Sequence, residues 1–278
     1  MALGYVTDAL QTQTGRARNA IRLGYDIRSQ EFGKDSSHQQ TPPVGENASI
    51  KTGGVVLDIG CGTGRSTAPL VPTPASQVIG LDMSRGMLRR VLDDLTLSRT
   101  VLIQDDAEML LIAEESIGHI VSRRVLSHLP DQCTAFKEMW RVLRPGGTLD
   151  VGQFGDRVLG RPIERLFRSA LRDVTGTKSA TLINLFRPPS ITGVEAASGA
   201  AGFETIDLQA TTTHRRVDPE RAARGLLPAT TYISAQLNVA EKNALAKRLR
   251  AAARSKTDPD GLTDWGYEIR LRAKKTTS

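Results

Sequence analysis

The sequence predicts an α/β chain: a mostly parallel sheet with helices on both faces. Three observations carry this. The β-branched and apolar run Val55-Val56-Leu57-Asp58-Ile59 feeds directly into a glycine turn, Gly60-Cys61-Gly62-Thr63-Gly64. Short runs of the same kind recur at 77–82, 101–104 and 120–122, alternating with segments whose apolar residues fall at helical spacing. Polar residues stand at the carboxyl end of each run, namely Asp58, Asp82, Asp106 and Ser122. Sheets of this kind bind ligands at those ends.

The glycine turn is the most informative stretch. Glycine lets a backbone approach a ligand closely, and free N–H groups at a helix start attract negative charge. Arg65 to Leu70 can begin that helix, although Pro69 limits how it starts. A dinucleotide fingerprint reads G-x-G-x-x-G; here the third glycine, Gly64, comes one residue early. Asp58 would also meet a pyrophosphate with like charge, whereas its carboxylate suits a cation such as an amino acid's ammonium. The next run ends in Asp82. An acid roughly 20 residues past a glycine turn serves as a ribose-hydroxyl clamp, so Asp82 points to an adenosine with free ribose hydroxyls and against a 2′-phosphate.

The other elements follow in order. Residues 1–31 read as a helix with a loose apolar stripe that includes Ile21, and Tyr5 and Tyr25 either touch substrate or pack the helix on the core. Residues 34–54 read as a linker rich in Ser, Gln, Pro and Gly. Ser84 caps a helix from Arg85 to about Leu97, with Met87, Leu88, Val91, Leu92 and Leu95 inward. Asp131 or Gln132 opens a helix to about Val142, which Arg144-Pro145-Gly146-Gly147 stops, and Thr148 to Phe154 is the fifth strand. A helix over 161–174, an apolar stretch over 182–186, a helix from Ser190 and a strand over 204–211 come next. Residues 240–255 form an amphipathic helix, and 265–273 alternates as a last strand.

These residues resemble a family. Val56 to Gly64 is similar to the first motif of class I S-adenosylmethionine-dependent methyltransferases, nearest to the small-molecule, quinone-biosynthesis type. The likeness is strong over about residues 50–155 and weaker beyond. It implies a Rossmann-like, doubly wound, seven-stranded and mostly parallel sheet with an antiparallel edge strand and helical cap additions. It implies S-adenosyl-L-methionine as cofactor, held by Asp58, Gly60, Cys61, Gly62 and Gly64, by Asp82 on the ribose, by Met83 packed on the adenine, by Asp106 and the Ala107 N–H at the adenine edge, and by Ser122 at the fourth strand end. It also implies that residues 1–50 close over the site, that 51–278 form the catalytic domain, and that caps lie around 155–200 and 218–256. This chain departs from the family at Gly118, where an aspartate is common, at Asp105, where a glycine is usual, and at Ser127-His128, where a His-His pair is usual.

Candidate bases are His128, His214 and Tyr25, since an acceptor that must lose a proton needs one. His128 either acts so or packs beside the cofactor. Arg123 and Arg124 follow the fourth strand; one could bind a substrate carboxylate or phosphate, or pair with a nearby acid.

Composition bounds the rest. The chain has 278 residues and a net charge of +7, and from Arg215 onward it carries 14 Lys and Arg against 7 Asp and Glu. Aromatic residues make up only 4%, which disfavours a nucleic-acid partner because single-strand sites interleave stacking rings with charge. Cys61 and Cys133 read as free thiols with no metal spacing, no run has the length of a membrane span, and the N-terminus shows no signal peptide, so the cytoplasm is expected. A small-molecule acceptor is expected, and nothing in the pattern sets an oligomeric state. The expected reaction is methyl transfer to O, N or C of that acceptor. Its rivals are a non-methylating reaction, such as a rearrangement or ring closure, and a non-catalytic cofactor-binding partner.

Overall fold

The computed structural model describes residues 2–29, 54–73, 75, 77–93, 97, 99–217, 233, 235–255 and 262–277. Seven strands form one sheet: β1 (Val55–Ile59), β2 (Gln77–Asp82), β3 (Thr100–Gln104), β4 (Ile117–Arg123), β5 (Leu143–Phe154), β6 (Phe203–Val217) and β7 (Leu262–Lys275). Their order is β3-β2-β1-β4-β5-β7-β6. The pairs among β1 to β5 are parallel, and the two pairs that β7 makes are antiparallel. The antiparallel pairing expected at the sheet's end is there, but β7 is inserted between β5 and β6, so β6 is the outermost strand. The chain reverses direction across the sheet at β1, between β2 and β4. The register aligns Ile59 with both Leu81 and Ser122, and Asp82 with Gln104. The carboxyl ends therefore face one region.

Burial explains the strands. Val56, Leu57 and Ile59 are fully buried, as are Ile120 and Val121 of β4. Strands covered on both faces are expected to be this apolar. Along β5, Arg144 to Gly147 bulges away, since the β4 pairing passes from Ile117–Leu143 to His119–Thr148 with a register shift. The fifth strand thus starts earlier than the sequence suggested and is interrupted where proline and glycine stand.

The helices are α1 (Ala2–Arg28), α2 (Arg85–Leu92), α3 (Gln132–Val142), α4 (Pro162–Thr175), α5 (Lys178–Ile183), α6 (Ile191–Ala200) and α7 (Val239–Arg254). Ser84, Asp131 and Ser190 each cap the following helix, accepting from the backbone N–H groups of Met87, Thr134 and Gly193. The helix expected at 65–70 is only a short 3-10 turn at Ala68–Leu70, with Pro69 inside it. Leu92, expected inside, is the last residue of α2 and is exposed.

Among the described residues, two larger apolar cores and a small cluster of Val56, Leu70, Val78 and Val121 result. The larger packs α3 and α6 on the sheet, through residues such as Phe136, Met139, Leu149 and Val194. The second joins α4, α5 and α7 to Ile21 of α1, through Ile163, Phe167, Leu171, Leu182, Leu245 and Leu249. The 155–200 stretch expected as a cap therefore divides: α4 and α5 join the second core, whereas α6 belongs to the first. The linker read at 34–54, apart from Gly54, and all of 218–232 fall outside the described residues. Among the described residues, no helix is long and apolar enough to cross a membrane.

Candidate active site

A cavity of about 270 Å³ opens at the carboxyl ends of β1, β2 and β4. The glycine turn forms its floor. Gly60, Gly62 and Gly64 all have positive φ, which side chains rarely adopt. A Cβ on Gly60 would lie 2.1 Å from a methyl of Val125, so close packing demands glycine there. A Cβ on Gly62 would meet nothing within 4 Å, because that residue faces the cavity.

Asp82 stands on the wall and is locked by the backbone. Its Oδ2 accepts from the Gly62 N–H at 2.9 Å and its Oδ1 from the Ser84 N–H at 2.8 Å. Burial, opposed by these two N–H groups, raises its pKa to about 6. Each oxygen keeps a lone pair for a ligand hydroxyl. Asp106 also lines the cavity; its Oδ1 accepts from the Glu108 N–H at 2.9 Å. Cys61, Met83 and Ala107 line it as well. Burial, then the charges of Asp58 and Asp82, pushes the Cys61 thiol well above its usual range, so it serves as a small apolar residue.

Three expected cofactor residues do not reach the cavity. Asp58 is fully buried beneath the turn, where its Oδ2 accepts from Ser66 Oγ at 2.8 Å and Thr67 Oγ1 at 2.7 Å. Its Oδ1 has no partner, and burial raises its pKa to about 6. It fixes the shape of the turn from below. Ser122 is likewise fully buried. Gly64 packs tightly, since a Cβ there would come within 2.2 Å of Leu97.

The candidate bases separate. Tyr25 Oη lies 3.0 Å from His128 Nε2, with the rings edge to face at 5.5 Å, and both line the cavity. Burial, reinforced by the Arg28 charge, lowers the His128 pKa to about 4. Burial pushes the Tyr25 phenol well above its usual value, although Arg28 opposes this. The imidazole is therefore neutral near pH 7 and the phenol keeps its proton. His214, by contrast, is exposed on β6, paired with Trp265 of β7, and is not part of the cavity wall. It lies at the same end of the sheet as the ligand region, but on the outermost strand, so it is set to the side of the cavity and is not placed to act as its base. The Tyr5 side chain falls outside the described residues.

Several residues on or behind the wall were not among the site candidates read from sequence. Arg18 of α1 binds Asp106 (3.3 Å) and the buried Glu108. Asp26 holds the start of α2, accepting from Ser84 Oγ at 2.7 Å and the Gly86 N–H at 2.8 Å. On the other side, α4 presents Glu164 and Arg168, and Arg161 stands just before its first turn. Their i, i+3, i+7 spacing puts them on one helix face, a signal that was readable in the sequence. The positions of Arg18 and Asp26 opposite the sheet follow only from tertiary packing.

Residues 57–151 match the family described as a methyltransferase domain. The chain is 35% identical over 162 residues to the malonyl-[acyl-carrier protein] O-methyltransferase of Methylococcus capsulatus, covering 58% of this chain and 55% of that one. It is 37% identical over 97 residues to the demethylmenaquinone methyltransferase of Roseiflexus castenholzii, covering 34% and 41%. The chain thus spans about half the length of the curated relatives it matches. Among solved structures, the YcgJ protein of Bacillus subtilis aligns with a TM-score of 0.59 at 19% identity, over 83% of this chain and 95% of that one. The [4+2]-cyclase SpnF aligns with a TM-score of 0.54 at 23% identity, over 82% and 78%. These structural likenesses show the fold. Residues 57–151 thus carry a methyltransferase-domain match within a Rossmann-like α/β fold.

Proposed function

We propose that the protein transfers the methyl group of S-adenosylmethionine to a small-molecule acceptor in the cavity under α1 and α4. The observation that carries this is Asp82. Its carboxylate is pinned by two backbone N–H groups on the wall of an open glycine turn, which suits a ribose diol. Gly60, Cys61 and Gly62 would hold the methionine portion, Met83 the adenine face, and Asp106 and Ala107 the adenine edge; all six line the cavity. Asp58, Gly64 and Ser122 act from behind, keeping the turn and strand ends in shape.

When bound, the cofactor supplies a methyl group already activated by its sulfonium. The chain's own work is then to align the acceptor and exclude water. α1 contributes to both, since Arg18, Ile21, Tyr25 and Arg28 all line the cavity. Tyr25 and His128 form a neutral hydrogen-bonded pair that orients the acceptor, and His128 takes a proton only from an acceptor acidic enough for a weak base. Incubation with methyl-labelled cofactor and an acceptor panel, read by product mass, tests the reading. It predicts products heavier by one methylene, with an equal amount of S-adenosylhomocysteine. An isomerised product of unchanged mass would replace transfer by rearrangement or ring closure.

A further inference from the structure

One cation of the cavity stands apart from its neighbours. Arg123 binds Asp150 at 2.9 Å, Arg168 binds Glu164 at 2.9 Å, and Arg18 binds Asp106 and Glu108. Arg65 also lines the cavity, directly after the glycine turn, and among the described residues its side chain has no hydrogen bond, ion pair or ring contact. Its Nη1 is nonetheless shielded from solvent, without an acceptor. The backbone beside it is in the same condition. The Gly60 and Cys61 N–H groups donate to Leu81 O, that of Gly62 to Asp82, and that of Gly64 to Cys61 O. Among the described residues, the N–H groups of Thr63 and Arg65 find no acceptor. Asp58 does not answer this charge, because it lies beneath the turn and is held there by Ser66 and Thr67.

A charged donor withdrawn from water without an acceptor is costly, and a bound anion removes that cost. Guanidinium is also the group best shaped to bind a carboxylate through two parallel hydrogen bonds. The methionine end of S-adenosylmethionine carries both an α-carboxylate and an α-ammonium. Asp58, whose charge suits the ammonium, is fully buried behind the turn and does not line the cavity. Arg65, whose charge suits the carboxylate, does. We infer that Arg65 anchors the cofactor through its α-carboxylate, so that the amino-acid end is recognised by its negative group and not by its ammonium. This rests on the reading of the cavity as a methyl-transfer site and names the residue that selects the cofactor's tail.

The test is calorimetric titration of the full chain with S-adenosylhomocysteine and three of its analogues. The 3-aminopropyl thioether of adenosine lacks the carboxylate, the 3-carboxypropyl thioether lacks the ammonium, and 5′-methylthioadenosine lacks both. Loss of the carboxylate is expected to weaken binding about tenfold or more, which is roughly 1.4 kcal/mol, and loss of the ammonium less than about threefold. Arg65→Gln should weaken S-adenosylhomocysteine and the carboxypropyl compound about tenfold each. The same variant should bind the aminopropyl compound and 5′-methylthioadenosine within about twofold of wild type, which also shows that its cavity is intact. Arg65→Lys should recover part of the loss, since it restores the charge without the fork. Equal weakening of all four ligands by Arg65→Gln would give Arg65 a structural role and overturn the inference. A larger cost for the missing ammonium than for the missing carboxylate would overturn it too. Tight S-adenosylhomocysteine binding indifferent to Arg65 and to the carboxylate would overturn the inference and leave the methyl-transfer reading standing. Binding of none of the four compounds would overturn both.

Discussion

The two sides of the cavity are built by different means. On the glycine-turn side, backbone does most of the work. Asp82 is held by two N–H groups, Asp106 by one, and the turn is shaped by three glycines over a buried aspartate. On the helical side, side chains of α1, α4 and the end of β4 meet across long sequence separations, with charges that are only partly matched. A backbone-built half suits a ligand that never changes. A half built of side chains can be altered one residue at a time, which suits the partner that decides specificity.

Substitution can break this contrast. The largest effect is expected at Gly60→Ala, where left-handed backbone and overlap with Val125 combine. Together they should cost about 3 kcal/mol, a fall in melting temperature of roughly 8 °C for a domain of this size. Gly62→Ala has the same backbone sign but open space, so thermal melting should show about 1 kcal/mol of lost stability, while titration shows markedly weaker cofactor binding. If both glycines cost the same stability, the turn is not shaped as described.

Acidity sharpens the contrast next. The Asp82 carboxyl titrates near pH 6 because it is buried. Its ionised form accepts the ligand's hydroxyls, so binding is complete above pH 6 and weakens as pH falls through it. Below that point the dissociation constant should rise about tenfold per pH unit. Binding unchanged from pH 7.5 to pH 5 would show that this carboxylate is not used. The folded state follows the opposite sign in this group: a raised carboxyl pKa gives stability at low pH that is lost as pH rises through 6.

The α1 contacts give smaller effects. Asp26→Ala removes two hydrogen bonds at the start of α2 and should cost about 1–2 kcal/mol in denaturant unfolding. Arg18→Met, which frees Asp106 and leaves Glu108 buried without its guanidinium, should change cofactor affinity only a few fold. A large loss there would move the adenine contact from the sheet to α1.

The same division governs what the sequence disclosed. The glycine turn, the place of Asp82 at a strand end, the caps Ser84 and Asp131 and the parallel sheet were legible, because each depends on a few neighbouring residues. Asp58 illustrates the limit: a carboxylate at a strand end was read as a ligand contact, whereas Ser66 and Thr67, a turn later, draw it beneath the loop. His214 failed for another reason. Its strand continues well past the expected end at Thr211, to Val217, and leaves the ring exposed. The pairing of Tyr25 with His128 spans 103 residues, and no local pattern encodes it.

The most direct test is calorimetric titration of wild type and Asp82→Ala with S-adenosylmethionine, beside NADH. Micromolar binding of S-adenosylmethionine by wild type, weakened about 100-fold or more in the variant, as expected when charge-assisted bonds to the diol are lost, is the predicted result. Binding of NADH in its place, or full affinity in the variant, would contradict the account.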